Sequence, residues 1–195
     1  MKNTVRLFSM IMLAAGFLMA QPVSAQNKII VSKSKLRLYV VSPRGDTLCN
    51  YPCAVGKYYG DKKKPGDYRT PEGTFKVIQI QDSRTWKHDF LDGYGNRDGA
   101  YGPRFIRLSV PGFTGIGIHG TCFPESIGSR CTEGCVRLLN DDVMKLISYV
   151  EVNNTVCVIE KDMMKGIPKQ KGIHKNRQRE LSVDEDIARA SSPEP

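Results

Sequence analysis

Gly115-Ile116-Gly117-Ile118-His119 is a run of small and β-branched residues that ends in a histidine, and Cys135 follows that histidine by 16 positions. Such a run is typical of a short strand. A side chain at the end of a strand is held firmly, which suits His119 to act as a general base. Cys135 comes directly after Gly134, and a glycine permits a tight backbone and the close approach of a substrate. The pattern predicts a strand ending in a candidate base and a loop, Gly120–Gly134, ending in a candidate nucleophile.

Several other stretches have the short, β-branched and partly alternating character of strands. They are Lys28–Ser32, Leu36–Val41, Thr47–Val55, Gly73–Ile80, Phe105–Val110 and Thr155–Ile159. Residues 57–69 and 82–104 are polar and glycine-rich, and we interpret both as loops. A loop as long as the second is usually either functional or disordered in a compact domain.

One amphipathic helix is predicted after Cys135. Asn140 is placed to cap its N-terminus, and two aspartates in the first turn suit the helix dipole. The apolar face consists of Val143, Leu146, Ile147 and Val150. Many short strands with a single helix predict a mostly-β fold, either a sandwich or a barrel.

The two ends of the chain differ from this central part. Residues 1–25 contain basic residues, an apolar stretch from Leu7 to Ala20 and the small-residue sequence Val23-Ser24-Ala25, which predicts a secretory signal peptide. The apolar stretch is shorter than the roughly 20 residues of a membrane-spanning helix. We therefore expect an exported protein, periplasmic or associated with the cell wall, with a catalytic domain at 26–160 and no stable membrane span. Residues 161–195 are charged and poor in large apolar residues, which favours a disordered tail.

The charge of the chain bears on its partners. The formal charge is +9, and removal of residues 1–25 would lower it to +7, because that segment holds two basic residues and no acidic one. A basic exported protein attracts anionic polymers. Cell-wall polymer, rich in carboxylates, is a better candidate than nucleic acid, since the sequence lacks aromatic-basic patterning. We expect a monomer without cofactor or metal.

Cys135 needs help to react as a thiolate, because a free cysteine has a pKa of about 8.5. His119 is the candidate base. The backbone amide of Cys135, together with the amide just before it, is a candidate donor to the oxyanion formed when a carbonyl is attacked. From the residues alone, the alternative is that Cys135 is a buried thiol or half of a disulfide.

The remaining cysteines and histidines are weaker candidates. If Cys135 is a free thiolate, five cysteines remain, and at most two disulfides can form. Cys122 and Cys131 lie in the loop before Cys135, so we expect them to clip that loop, although connectivity is not determined by sequence. His88 either lines the substrate cleft or lies on the surface, and we favour the surface. The C-x3-C spacing at Cys49 lacks a second matched pair, which argues against zinc.

The runs Ile118-His119-Gly120-Thr121 and Gly134-Cys135-Val136-Arg137-Leu138 together resemble the signature of L,D-transpeptidases of the YkuD type. That signature is I-H-G-T followed by S/T-x-G-C-[IV]-R at the same separation. Three further stretches also resemble the family. Thr70–Phe75 matches its T-P-x-G-x-F pattern and Gly102-Pro103-Arg104 matches its middle section. Asn140–Val143 matches the start of its helix. The resemblance extends from about Lys28 to Ile159.

The resemblance implies a mostly-β YkuD-like fold and an acyl transfer on peptidoglycan. Cys135 would attack a stem tetrapeptide, release D-alanine and form a thioester, with His119 as base. An amine from another stem, or from a wall protein, would then complete a 3-3 cross-link or an attachment. Gly134, Gly120 and Thr132 are the further candidates for the oxyanion and substrate site. Arg137 would hold either a substrate carboxylate or the loop itself.

Glu133 departs from the pattern, since many members of the family have a histidine before the glycine, in S-H-G-C. Thr132 keeps the hydroxyl. A carboxylate near a thiolate disfavours it unless it points away or pairs with Arg130 or Arg137. Two alternatives to a transferase therefore stay open. One is a cysteine hydrolase acting on stem peptides or wall-linked proteins, and the other is a non-catalytic wall-binding module.

Overall fold

The computed structural model describes residues 26–91 and 93–163. The signal peptide predicted for residues 1–25 and most of the tail predicted for residues 161–195 lie outside this range, and both stay predictions. In the described residues, no helix is long and apolar enough to cross a membrane.

The regular structure of the described chain consists mainly of short strands, with one α-helix after Cys135, as the sequence predicts. The elements are β1 Lys28–Ser32, β2 Arg37–Val41, β3 Thr47–Pro52, β4 Val55–Gly56, β5 Gly73–Asp82, β6 Lys87–Asp89, β7 Asn96–Asp98, β8 Arg104–Leu108, β9 Gly117–His119, β10 Arg130–Thr132, β11 Val136–Arg137, α1 Asn140–Leu146 and β12 Val156–Ile159. Single-turn 3-10 helices lie at Pro124–Ser126 and Ile147–Tyr149.

Eight strands form one mixed sheet in the order β11-β9-β8-β5-β12-β1-β2-β3. Alternate residues of its strands point to the core, as Leu38 and Val40 do from β2. The core also takes Val143 and Leu146 from one face of α1. Burying these apolar side chains is the main favourable contribution to folding.

The sheet curls until its two edges approach each other. Ala54, just after the edge strand β3, exchanges backbone hydrogen bonds of 2.9 and 2.8 Å with Arg137 in the opposite edge strand β11. Immediately beyond, β4 pairs in parallel with β10. The segment that contains Cys135 is therefore fixed from both sides, by β9 and by the chain that follows β3.

The predicted loop at residues 82–104 contains a hairpin. Strands β6 and β7 pair antiparallel, with His88 opposite Arg97. The sequence did not predict these strands because both are polar and lack an alternating apolar face. The helix also differs in one detail, since Asn140 is its first residue and Leu139 holds the cap position without a side-chain cap.

Candidate active site

The pairing of β9 with β11 explains the spacing of the predicted site residues. The two strands are parallel, with Arg137 opposite His119 and Val136 opposite Ile118. Alternate residues of a strand share a face, so Cys135 and Arg137 lie on the same side of the sheet as His119. Two segments that are distant in sequence therefore bring the candidate nucleophile and the candidate base together.

These three side chains line one pocket of about 320 Å³. Its other walls come from the 57–69 loop, from the hairpin region and from the turn before β9. The lining residues are Lys62, Pro65, Gly66, His88, Phe90, Ala100, Tyr101, Gly112, Phe113, Thr114, Gly115, Ile116, His119, Glu133, Cys135 and Arg137.

His119 is held in one orientation and one tautomer. Its ring is buried, stacks on Phe105 with centroids 5.5 Å apart, and meets the edge of Tyr101 at 5.0 Å. Nδ1 lies 2.6 Å from the carbonyl oxygen of Gly120, an acceptor, so Nδ1 carries the proton. The pKa of His119 is lowered to about 3, chiefly by burial; the hydrogen bond to Gly120 acts in the opposite direction, and the positive charge of Arg137 contributes to the lowering. At neutral pH the ring is therefore uncharged, and its Nε2 has a free lone pair.

The Cys135 thiol is also uncharged at neutral pH. Its sulfur lies 3.3 Å from the carbonyl oxygen of Gly115, to which the thiol donates. The pKa of Cys135 is raised to about 11, chiefly by burial, with a smaller contribution from the carboxylate of Glu133. A bond from the Gly117 amide and the charges of Arg137 and Lys62 act in the opposite direction. The resting pair is a neutral thiol and a neutral imidazole.

Thr132 and Gly134 shape the turn that presents the thiol. The Thr132 hydroxyl donates to the carbonyl oxygen of Cys135 at 2.6 Å and accepts from the Gly134 amide at 3.2 Å. The second of the two predicted oxyanion donors is therefore occupied, which leaves the Cys135 amide as the candidate. Gly134 has a φ of +141°, and a Cβ there would lie 2.9 Å from the carbonyl oxygen of Arg69.

Arg137 anchors the loop before Cys135. Its Nη1 donates to the Ser126 hydroxyl at 2.9 Å and to the Cys131 sulfur at 3.8 Å, and the guanidinium lies over the Phe90 ring at 5.8 Å. Its Nε is buried without a hydrogen-bond partner. Two roles were predicted for this arginine. Its contacts show that it holds the loop, and recognition of a substrate carboxylate stays a prediction.

Gly120 and Asn140 fix the backbone after His119. The Asn140 side chain accepts a hydrogen bond from the Thr121 amide at 2.8 Å, so it supports this loop and does not cap the helix. A Cβ on Gly120 would lie 2.2 Å from that same Asn140 oxygen. Gly120 therefore contributes through close packing and through the carbonyl that holds His119.

Lys62 is a pocket residue that the sequence analysis missed. The side chain is buried, its ammonium binds the Asp67 carboxylate at 2.9 Å, and it lies 5.5 Å from the centre of the Phe113 ring. Burial alone would raise the pKa of Asp67, but hydrogen bonds from the Lys63 amide and from Lys62 outweigh it and hold that pKa well below its usual range. The lysine is thus kept beside Cys135 by an ionised partner.

His88 lines the pocket, so the preference for a surface position was wrong. Its Nε2 lies 3.3 Å from a carboxylate oxygen of Glu133, and its Nδ1 lies 3.1 Å from the Tyr101 hydroxyl. Glu133 therefore pairs with this histidine, whereas Arg130 pairs with Asp162. The polar residues around His88 gave no local signal of this role, because the hairpin contacts the pocket only in the folded chain.

The expected Cys122–Cys131 clip is also wrong, since all six cysteines are free thiols. The Cys131 sulfur instead lies against the Ser126 carbonyl and the Arg137 guanidinium. Within residues 26–91 and 93–163, no three histidine, cysteine or acidic side chains converge as metal ligands would.

The family model described as the L,D-transpeptidase catalytic domain, YkuD, matches residues 26–159. The Bacillus subtilis (strain 168) protein named "Putative L,D-transpeptidase YqjB" is 33% identical over 96 residues, which is 48% of this chain and 54% of that protein. Escherichia coli (strain K12) "Probable L,D-transpeptidase ErfK/SrfK" is 27% identical over 150 residues, covering 71% of this chain and 46% of that protein. The chain spans about half the length of the curated relatives it matches.

Solved structures of similar fold include the following two. The L,D-transpeptidase from Mycobacterium smegmatis superposes with a TM-score of 0.51 at 21% identity, over 70% of this chain and 59% of that one. The helical cell shape determining protein Pgp2 from Campylobacter jejuni gives a TM-score of 0.54 at 23% identity, over 71% of this chain and 48% of that one.

Proposed function

The chain belongs to the family of L,D-transpeptidase catalytic domains, and from this premise we propose that it is a peptidoglycan L,D-transpeptidase with Cys135 as nucleophile and His119 as base. The observation that carries the proposal is the pairing of β9 with β11, which puts both side chains on one face of the sheet and in one pocket. The Gly120 carbonyl supports the assignment, because it leaves Nε2 of His119 free to accept a proton.

In the first step, the Cys135 sulfur attacks the carbonyl carbon of the L,D peptide bond in a stem tetrapeptide. Because the resting thiol is neutral, His119 takes its proton as the carbon–sulfur bond forms. The Cys135 amide donates to the oxyanion. The carbon–nitrogen bond then breaks, the proton passes from His119 to the leaving nitrogen, and D-alanine departs from a thioester.

In the second step, the amine of a second stem or of a wall protein attacks the thioester. The carbon–sulfur bond breaks, and His119 carries a proton from the amine to the sulfur. The product is a 3-3 cross-link or an attached protein, and the thiol is regenerated. This substrate lies outside the cytoplasm, which agrees with the signal peptide predicted for residues 1–25.

Incubation with a purified stem tetrapeptide, with and without an amine acceptor, tests the proposal by mass spectrometry. We expect D-alanine release and, with the acceptor, a cross-linked product. Tripeptide alone in both samples would identify a hydrolase and overturn the transfer. The absence of any product, with wild type and Cys135→Ala alike, would overturn catalysis itself.

A further inference from the structure

Glu133 and His88 form a pair at the pocket wall that the first step of the reaction does not use. Glu133 comes from the loop that carries Cys135, and His88 comes from β6 of the hairpin. The two are joined by the 3.3 Å contact, while Tyr101 fixes the other nitrogen of the histidine. The Glu133 side chain is 44% exposed, so its carboxylate is held in position and is still open to a ligand.

The direction of these hydrogen bonds follows from the chemistry of the groups. An ionised carboxylate only accepts, so the Nε2–H of His88 donates to Glu133 and its Nδ1 accepts from the Tyr101 hydroxyl. Only Oε1 of Glu133 is engaged in this way. Within the described part of the chain, Oε2 has no hydrogen-bond partner, and it is available to a donor from the substrate.

The pocket wall carries charges of both signs. Among the described residues that line it, Glu133 is the one carboxylate, and Lys62 and Arg137 are the fixed cations. Lys62 is tied to Asp67, and Arg137 is tied to the loop through Ser126. A cationic group is therefore attracted to Glu133 and repelled by Lys62 and Arg137.

The two candidate acceptors of the second step differ in charge. A primary amine has a pKa of about 10 in water and arrives as an ammonium ion, whereas water is neutral. Resting on the function proposed above, we propose that Glu133 binds the ammonium of the amine acceptor and that His88 positions the carboxylate. The pair forms an acceptor subsite that favours transfer over hydrolysis.

The proton balance of the second step fits this subsite. The bound ammonium gives one proton to solvent at the exposed Glu133–His88 pair and becomes a nucleophilic amine. Its nitrogen then bonds to the thioester carbon as the carbon–sulfur bond breaks, and a second proton passes through His119 to the sulfur. Ammonium plus thioester thus gives amide, thiol and one released proton.

The test measures how the acyl-enzyme divides between amine and water. The enzyme is supplied with stem tetrapeptide, and D-alanine release reports thioester formation independently. The acceptors are a stem tripeptide with a free side-chain amine, and hydroxylamine, which is largely uncharged at neutral pH. The variants are Glu133→Gln and His88→Leu, with Glu125→Gln as the matched control, because Glu125 is an exposed acid outside the pocket.

For Glu133→Gln we expect the KM of the stem amine to rise about tenfold, since an ionic hydrogen bond is lost, and the product ratio to move toward the hydrolysed tripeptide. His88→Leu should change the KM and the product ratio in the same direction but by a smaller factor. Reaction with hydroxylamine should keep the wild-type KM in both variants, and Glu133→Asp should restore part of the selectivity.

Two results would overturn the subsite while leaving the proposed function intact. In the first, wild type releases D-alanine, and the ratio of aminolysed to hydrolysed product is the same in Glu133→Gln as in wild type. In the second, Glu133→Gln reacts equally poorly with hydroxylamine and with the charged amine. That result would mean that Glu133 stabilises the site as a whole and does not bind the ammonium. If wild type itself releases no D-alanine, it is the proposed function that fails.

Discussion

Two parts of this molecule bury polar side chains in opposite ways. Away from the pocket, Lys33 is only 1% exposed, and its ammonium contacts the carboxylates of Glu72 at 2.7 Å and Asp162 at 3.2 Å. It also donates to the carbonyls of Gly60 and Thr70. Arg130 binds Asp162 from the other side. We call Lys33, Glu72, Arg130 and Asp162 the Lys33 cluster.

The pocket holds the half-buried Cys135 and the buried His119 without ionic partners of this kind. In the Lys33 cluster, burial tends to raise the pKa of Asp162, but the Gly60 amide and the Arg130 side chain outweigh it and lower that pKa. In the pocket, burial prevails, and both reactive groups are neutral at physiological pH. Groups removed from solvent that have ionic and hydrogen-bonding partners stay charged and stabilise the fold. Groups removed from solvent that lack ionic partners stay neutral and are able to react.

The largest effect should follow from removing the neutral pair. We expect Cys135→Ala to abolish thioester formation and His119→Gln to slow it about 10³-fold, the usual range for loss of a general base. D-alanine release from a stem tetrapeptide measures both. Cys122→Ser is the control, because Cys122 is a half-buried thiol in the same loop and does not line the pocket. Equal losses in Cys122→Ser would point to disruption of the loop.

The next largest effect should come from the Lys33 cluster, and on stability. Lys33→Met leaves the buried Asp162 and the half-buried Glu72 each short of a partner, so we expect the free energy of unfolding to fall by about 3–5 kcal/mol. Denaturant unfolding measures this. Lys63→Met removes a lysine from an ion pair whose lysine side chain is 70% exposed, and it should cost less than about 1 kcal/mol. Similar losses in the two variants would mean that burial does not distinguish these pairs.

Lys62 belongs to the first class but lies in the pocket: it is a buried cation with an ionic partner, Asp67, and it lines the same pocket as the Cys135 thiol, which has no such partner. Lys62→Met should raise the pKa of Cys135 further, because a positive charge that favours the thiolate is lost. We expect alkylation of Cys135 by iodoacetamide to slow about three- to tenfold at one pH. An alkylation rate equal to that of wild type would show that Lys62 pairs with Asp67 but does not affect the pKa of Cys135.

The pH dependence of the two reactions should differ. Alkylation requires the thiolate, so its rate should rise about tenfold per pH unit until it levels near pH 11. Acylation by substrate requires neutral His119 and a thiol, so its rate should be flat through the neutral range and fall only toward pH 3. Alkylation that levels below pH 7 would instead indicate a resting thiolate–imidazolium pair.

The sequence predicted the parts of the fold that have local signals. The strands of the main sheet alternate or are β-branched, and the amphipathic face of α1 holds Val143 and Leu146. Strands β10 and β11 are too short for any periodicity, and they exist because Val55 and Ile118 provide partners distant in sequence. The β6–β7 hairpin is polar, so its contacts and not its pattern stabilise it.

The candidate site divides in the same way. His119, Gly120, Gly134 and Cys135 stand in contiguous motifs, and the structure brings them together. Lys62 and His88 stand in polar loops that have no motif, and only tertiary contacts bring them to the pocket. Asn140 shows how a local signal misleads, since it has the residue type and position of a cap but bonds the Thr121 amide instead.

Trapping the acyl-enzyme identifies the nucleophile directly. Enzyme mixed with a stem tetrapeptide is quenched in acid, and intact mass and peptide mapping locate the adduct. We expect one added tripeptide acyl group on the peptide that contains Cys135, sensitive to hydroxylamine and absent from Cys135→Ala. An adduct on Cys131 or another thiol, or product formation without any acyl-enzyme, would show that Cys135 is not the nucleophile.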